Sequence, residues 1–536
     1  MKTNMKKRIA LLTAMAISMT AVLAGCSGDA KEKGTSDNGG KDTSAEGGTF
    51  IVRSVGDPMS FNPNIQGDDN GYPIAQNTYR RLCALDSSKQ NIVPEAATKW
   101  EYSDDAKQLT FTLREDLKWS DGKPLTSKDV KYTFDTIKES PTYYFSANMA
   151  NVESIEAPDD YTVIFHLIEP DASFVNILGW YATFIMPEHI YNNGEKWEDN
   201  KEISDPTVTC GPFTVEEYVQ GESVTLVRDE NYPEPAKLDK LIFSIIPDEA
   251  TAIQALKNGE IDFFENLPAS YVKELEADPN LRVEVNEYPS PIRMVFNMEN
   301  ETVADQAVRK AIAMAIDREE ISEKVFDGIQ KPEYSLYPSI VEWAANTEDT
   351  APEFDVAGAQ KVLEDAGYTK NSDGMYITGL TLDVFEGSGY PDTAKLIKAT
   401  LEEVGIGVEV QVSEYNAWSQ KVSVDRDFSI LLMGGFMGPD PSALTNRIGT
   451  GKGANYGSYS NPEVDNLLKQ GAATIDQNER AEYYKEAQKI LAEDLPYLNI
   501  VSFAGPEGSS ANFKNLPFDG AGKWGWADYS HVEKVK

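Results

Sequence analysis

The chain has 536 residues, with 49 Lys+Arg against 87 Asp+Glu, a net charge of −38 and a hydrophobic fraction of 41%. So acidic a surface repels nucleic acid and anionic lipid, which excludes sequence-general binding to either. The apolar content is well above that of a disordered chain, and the length predicts roughly two to four lobes. Three cysteines (Cys26, Cys83 and Cys210) are too few for a disulfide scaffold and too far apart for a paired-thiolate zinc site. Three histidines without an HExxH pattern leave metalloprotease chemistry no local signature. No metal or cofactor is expected.

Residues 1–8 are basic, 9–22 apolar or small, and Leu23-Ala24-Gly25-Cys26 follows. This is the pattern of a secretory signal peptide over 1–25. Its ending resembles a bacterial lipobox, which implies cleavage before Cys26 and lipid attachment to that thiol. Acyl chains would hold the protein on the outer face of the cell membrane, in a Gram-positive bacterium, while the body stays in water. Residues 26–48 carry no aromatic or large aliphatic side chain and read as a flexible tether. No later apolar run approaches the ~18 residues of a membrane span, so the anchor is the only membrane contact expected. Cys83 and Cys210 are expected as buried free thiols, pairing only if the fold brings them together.

Along the folded part, 49–53 reads as a strand, 61–71 as a loop and 76–85 as helix-like. Residues 109–113 alternate and read as a strand. Asp121-Gly122 marks a turn, and Thr126 with Asp129 forms the capping-box pattern at the start of a helix. Residues 161–167 and 223–228 are further strands. Val308, Ile312, Ala315 and Ile316 predict a helix over 305–325. Residues 355–366 read as a helix stopped by Gly367, 380–385 as a strand, 392–404 as a helix stopped by Gly405, and 408–412 and 428–433 as strands. Asn461-Pro462 starts a helix, and 480–491 is the last long one.

Strand, helix and strand with short links imply parallel crossovers over about 350–440, and so an α/β lobe. In such sheets ligands sit outside the carboxyl ends of the strands. Three strand ends there run into 386–390, 413–418 and 434–441, each rich in glycine, aromatics or both. Singly, these are turn glycines and core aromatics. Gathered on one sheet edge, they line a cleft for an extended, partly apolar ligand.

Residues 94–138 carry Pro94-Glu95-Ala96-Ala97, Trp100, the 109–114 strand, Trp119-Ser120-Asp121-Gly122 and 126–130. Gly211-Pro212-Phe213, Asn258-Gly259-Glu260-Ile261-Asp262, 308–318 and Asn461-Pro462-Glu463-Val464-Asp465 follow in order. Together these blocks resemble the family 5 extracellular solute-binding proteins, which serve oligopeptide, dipeptide and nickel ABC importers. The resemblance implies an α/β, periplasmic-binding-protein-like fold (class II, three-lobe) with the ligand cleft between lobes. It implies lobe I over 49–84, 206–287 and 499–536, lobe II over 85–205 and lobe III over 288–498. It also implies a monomer that makes no covalent change to its guest and hands it to ABC permease subunits.

Peptide-binding members hold an extended guest as an added strand. An acid that takes the guest's amino group follows a "Gly-Trp-x-small" run. Here the run is Gly435-Phe436-Met437-Gly438 and the next residue is Pro439, so Asp440 is either the substitute or only the "DP" that closes the loop. Gln66, Gly67 and Asp68 fall where relatives line the cleft, and Tyr415, with Trp418 nearby, falls at a side-chain pocket. Arg293 either meets an anionic group or forms a surface ion pair. Oligosaccharide is the second choice of cargo, and peptide sensing is an alternative to import. A carboxylate-pair hydrolase is the competing class, which composition alone does not exclude. The loop 449–453 only imitates a phosphate loop.

Overall fold

The computed structural model describes residues 44–45, 47–179, 183–387, 389–520 and 525–535. The signal peptide, Cys26 and nearly all of the tether lie outside the described residues.

Thr49–Ser54 alternates half-buried and buried positions, so Phe50 and Val52 point into the core while their neighbours face out. It pairs in parallel with Lys240–Ile245 and touches Phe263–Phe264. These strands belong to one ten-stranded sheet. Its order runs Ile406–Ser413, Ile377–Phe385, Ile430–Met433, Leu281–Phe296, Tyr497–Ser510, Phe263–Phe264, Thr49–Ser54, Lys240–Ile245, Ser223–Arg228 and Phe213–Val219. The longest pairing is antiparallel, from Leu281 opposite Ser510 to Val295 opposite Tyr497. Its register lapses between Tyr288 and Ile292, where Pro289 and Pro291 have no N–H to give to a ladder.

A separate four-stranded antiparallel sheet orders Ala97–Tyr102, Gln108–Leu113, Thr162–Leu167 and Val152–Asp159. The helix Ser127–Glu139 lies against it, burying Val130, Thr133, Phe134 and Ile137 on one face. The Phe134 and Phe165 rings meet edge to face at 5.2 Å. The expected capping box is present: Thr126 N donates to Asp129 Oδ2 at 2.9 Å.

The expected parallel crossovers are also present. Ile377–Phe385 pairs in parallel with Ile406–Ser413 and with Ile430–Met433. The helix Tyr390–Val404 connects the first two strands. Pro391 sits in its first turn, it buries Ala394, Ile397, Leu401 and Val404, and it ends at Gly405.

Two expectations are corrected. Residues 76–85 are not one helix. The helix is Gly71–Thr78, and Cys83–Leu85 is a strand paired with Ile92–Pro94. Asn77 Nδ2 and Thr78 Oγ1 turn back to Pro73 O and Ile74 O, and Tyr79 is already extended. Residues 305–325 form two helices, Gln306–Met314 and Arg318–Phe326. Asp317 breaks the run because its carboxylate accepts the Glu320 N–H at 2.9 Å and so caps a new helix. The long strands Leu281–Phe296 and Tyr497–Ser510 were not anticipated. Cys83 and Cys210 are buried free thiols as expected, and burial raises the pKa of both.

Candidate functional site

The three strand-end loops converge. The Phe385 ring, at the end of its strand, lies 4.4 Å from Tyr390, 5.4 Å from Tyr415 and 5.0 Å from Trp418. Tyr415 stacks on Trp418 at 5.9 Å. Trp418 is buried, whereas Tyr415 is 55% exposed and presents its other face to solvent. An exposed ring held by a buried one is a rigid contact surface that loses little entropy on binding.

The strand Ile430–Met433 continues into the strip 434–438. Gly435 has φ +143°, and a Cβ there would meet nothing within 4 Å. The strip is therefore open at that point, in a conformation that favours glycine. Met437 is anchored by its N–H to Pro289 O at 2.6 Å. Phe436, with Tyr72, Lys89, Tyr288, Phe503 and Trp526, walls a cavity of ≈ 160 Å³. Within it Lys89 Nζ lies 4.0 Å from the centres of both the Tyr288 and Trp526 rings. Beneath it Glu507 accepts from Tyr288 Oη at 2.9 Å, and burial beside Glu265 pushes its carboxyl up.

A larger cavity, ≈ 560 Å³ and open to solvent, lies between the 438–447 segment and residues of 144–177. Gly438, Pro439, Asp440 and Arg447 line one side, and Tyr144, Ser173 and Asn176 the other. Two hydrogen bonds tie the sides together. Asn176 Nδ2 donates to Asp440 Oδ2 at 3.0 Å, and Ala172 N donates to Ala472 O, a helix-end carbonyl, at 2.7 Å.

The sequence-predicted residues thus fall into distinct settings. Gly435, Phe436, Met437 and Asp440 share one segment along the cavities, and Tyr415 and Trp418 form the neighbouring aromatic patch. Gly67 lies under the ring of Tyr144, where a Cβ would sit 2.7 Å from Cε2. Gln66 is exposed. Asp68 is buried, and its carboxylate accepts from Met59 N at 2.6 Å and Asn70 N at 3.1 Å, so it braces its own loop. Asp440 is ion-paired with Arg480, residue 40 further on, at 2.8 Å. Arg293 is no surface ion pair: it is 5% exposed and donates to Met437 Sδ at 3.1 Å and Met433 Sδ at 3.6 Å. Burial and the nearby Arg447 push its pKa down to about 9. Tyr144, Asn176, Arg447 and Arg480 were not anticipated. Tyr144, Asn176 and Arg480 lie far along the chain from the strip, Arg447 lies eleven residues after Phe436, and no local motif marks any of them.

This cleft-bearing chain matches the profile of bacterial extracellular solute-binding proteins, family 5 (middle), over residues 91–456. It belongs to that family. The family 5 protein described here is 29% identical to the oligopeptide-binding protein AppA of Bacillus subtilis, over 92% of this chain and 93% of that one. It is 28% identical to the oligopeptide-binding protein OppA of the same organism, over 97% and 98%. The substrate-binding protein CtaP of Listeria monocytogenes superposes with a TM-score of 0.81 at 27% identity, covering 92% of this chain and all of that one. AppA of Bacillus subtilis in complex with a nonapeptide superposes with a TM-score of 0.74 at 26% identity, over 92% of this chain and 100% of that one. The fold expected from the sequence, periplasmic-binding-protein-like and mixed α/β, is the fold observed. Among the described residues no helix is long and apolar enough to cross a membrane.

Proposed function

We propose that this family 5 protein captures peptides in the cleft beside 434–440 and releases them unaltered to the permease of an ABC importer. It would do so from the outer face of the cell membrane, held there through lipid on Cys26 and the 26–48 tether. The observation that carries this reading is the strip 434–438. It continues a strand, opens to free space at Gly435, and runs beside a cavity of ≈ 560 Å³. An extended guest laid along such a strip pairs main chain to main chain, which gives affinity with little dependence on side chains. Two oligopeptide-binding relatives that align over more than nine-tenths of this chain support the same cargo.

The proposed lobes are 49–84, 206–287 and 499–536 for the first, 85–205 for the second and 288–498 for the third. The break between Tyr288 and Ile292 in the longest strand pair supports the boundary at 287/288, because lapsed pairing is where two lobes bend against each other. Gln66, Gly67, Tyr415, Trp418, Gly435, Phe436 and Met437 are proposed as guest contacts. Asp68 and Asp440 are proposed with them, although both carboxylates already serve protein groups.

The test is thermal denaturation with a pool of dipeptides to hexapeptides. A guest that binds only the folded state raises the melting temperature. No shift with peptides, but a clear one with cello- or xylo-oligomers, would reassign the cargo. Cleavage of the peptides would overturn the non-enzymatic reading.

A further inference from the structure

We propose that closure of the cleft is coupled to proton uptake at Asp171. Closure brings Asp171 and Asp440 to one cavity with a single arginine, Arg480, to serve both, so acidification strengthens the closed state and its hold on the guest. The inference rests on the peptide reading above and adds a control on that same cleft.

Asp171 and Asp440 line the ≈ 560 Å³ cavity from opposite sides. Asp171 immediately precedes Ala172, whose N–H donates across the cavity to Ala472 O at 2.7 Å. The Asp171 carboxylate accepts from Ser173 N at 2.9 Å and from Ser173 Oγ at 2.5 Å. Asp440 receives Asn176, from the same segment, at 3.0 Å. The two acids therefore sit on the two halves of one clasp, and parting the clasp separates them.

The charges at this contact do not balance. Arg480 Nη2 donates to Asp440 Oδ1 at 2.8 Å, and its Nε is taken by Gly471 O at 3.1 Å. Among the described residues no cation lies within ion-pair distance of Asp171. The remaining titratable neighbours are phenols. Tyr102 Oη accepts from Val175 N at 3.0 Å, and Tyr484 Oη lies 3.5 Å from Arg480. Tyr337, which donates to Gly438 O, and Arg447 stand on the Asp440 side. Burial pushes all three phenols up, so they stay neutral and supply no compensating charge.

Closing thus withdraws a second carboxylate from water beside the first, with no second cation to meet it. Burial raises the pKa of Asp171, Asp440 adds to the rise, and Ser173 and Arg480 offset it only in part. In the parted form Asp171 returns to water and to an ordinary carboxylate value. The closed form therefore takes up a proton that the open form releases, and a proton favours the form that holds it more tightly. The contribution to closure is fully present below about pH 4 and is lost as pH rises through the raised value.

The experiment is isothermal titration with penta-alanine between about pH 5 and pH 7, a window that lies between the pKa values of the peptide's two termini. Wild type is compared with Asp171→Asn, which keeps the shape and removes the charge. Wild type is expected to bind about 3- to 10-fold more tightly at the acid end, and the variant to bind tightly throughout. An equal pH dependence in both proteins, or none in wild type, overturns the proposal while leaving peptide capture intact. A second measurement needs no variant to fold. Titration of wild type in buffers of different ionisation enthalpy should register proton uptake on binding, and zero uptake overturns the proposal. If penta-alanine does not bind at any pH, the peptide reading falls, and X-ray scattering of the unliganded protein then judges the clasp by itself. Contraction on acidification in wild type but not in Asp171→Asn supports proton-coupled closure, and one unchanged radius of gyration overturns it.

Discussion

Asp440 and Arg480 form a buried ion pair at 2.8 Å, with side-chain exposures of 5% and 7%. Asp440 also accepts from Asn176 Nδ2 and from Ser442 N, each at 3.0 Å, and Arg480 Nε donates to Gly471 O at 3.1 Å. The carboxylate is therefore a structural hub before any guest arrives. Asp440→Asn keeps the shape but removes the ion-pair partner of Arg480, leaving the more distant Asp171 as the nearest carboxylate charge. The expected loss is about 3–5 kcal/mol of stability, measured by urea unfolding. If Asp440 also receives a guest's ammonium group, free-amine peptides will lose far more affinity than N-acetylated ones. Equal losses remove it from that role.

Gly211 explains one block of the family likeness in steric terms. Its N–H donates to Thr78 O at 2.8 Å, and a Cβ would come within 2.5 Å of Asn77 O and 2.6 Å of Thr78 C. Backbone cannot swing aside as a side chain can. Gly211→Ala is expected to cost about 3 kcal/mol. A melting temperature equal to wild type would show that the close approach is not required.

Tyr415 offers the converse case, a proposed guest contact that the fold does not need. Its ring is mostly exposed and stacks only on the Phe385–Trp418 patch. Tyr415→Ala should change stability by no more than about 0.5 kcal/mol. It should weaken peptide binding about tenfold, since aromatic anchors dominate binding energy. Calorimetry on the folded variant decides the matter, and unchanged affinity would place the guest elsewhere.

Asp262 predicts a pH effect. Burial pushes its carboxyl up to about 6, although Ile51 N donates to Oδ2 at 3.0 Å. The folded state then holds a proton that the unfolded state releases above about 4. For this group stability is fully present below pH 4 and declines as pH rises towards 6. Asp262→Asn should lack that decline. The check is the difference in urea midpoint between wild type and variant at several pH values, and a constant difference would refute the assignment.

The crossover region was legible because its signals are local. Pro391 starts the helix, apolar residues recur on one face, and Gly405 stops it, so that 380–412 reads correctly from sequence alone. The long strand pair was not legible for the opposite reason. Leu281–Phe296 contains two prolines, alternates poorly, and finds its partner some two hundred residues later at Tyr497–Ser510. The site divides the same way. The aromatics and glycines at the strand ends announce themselves, whereas the partner of Asp440 is a helix residue with no motif around it. Arg293 was recognisable as a candidate for an anion, but nothing in its neighbours revealed that a charged residue would be buried in the sheet.

The Asn176–Asp440 and Ala172–Ala472 bonds carry a kinetic consequence. They bridge opposite sides of the larger cavity, so parting those sides requires both to break. A guest that enters by parting these sides would wait on unclasping rather than on collision, and the same event would limit its escape. A guest enclosed in this way would have a residence time set by the protein's own breathing rather than by the strength of any one contact.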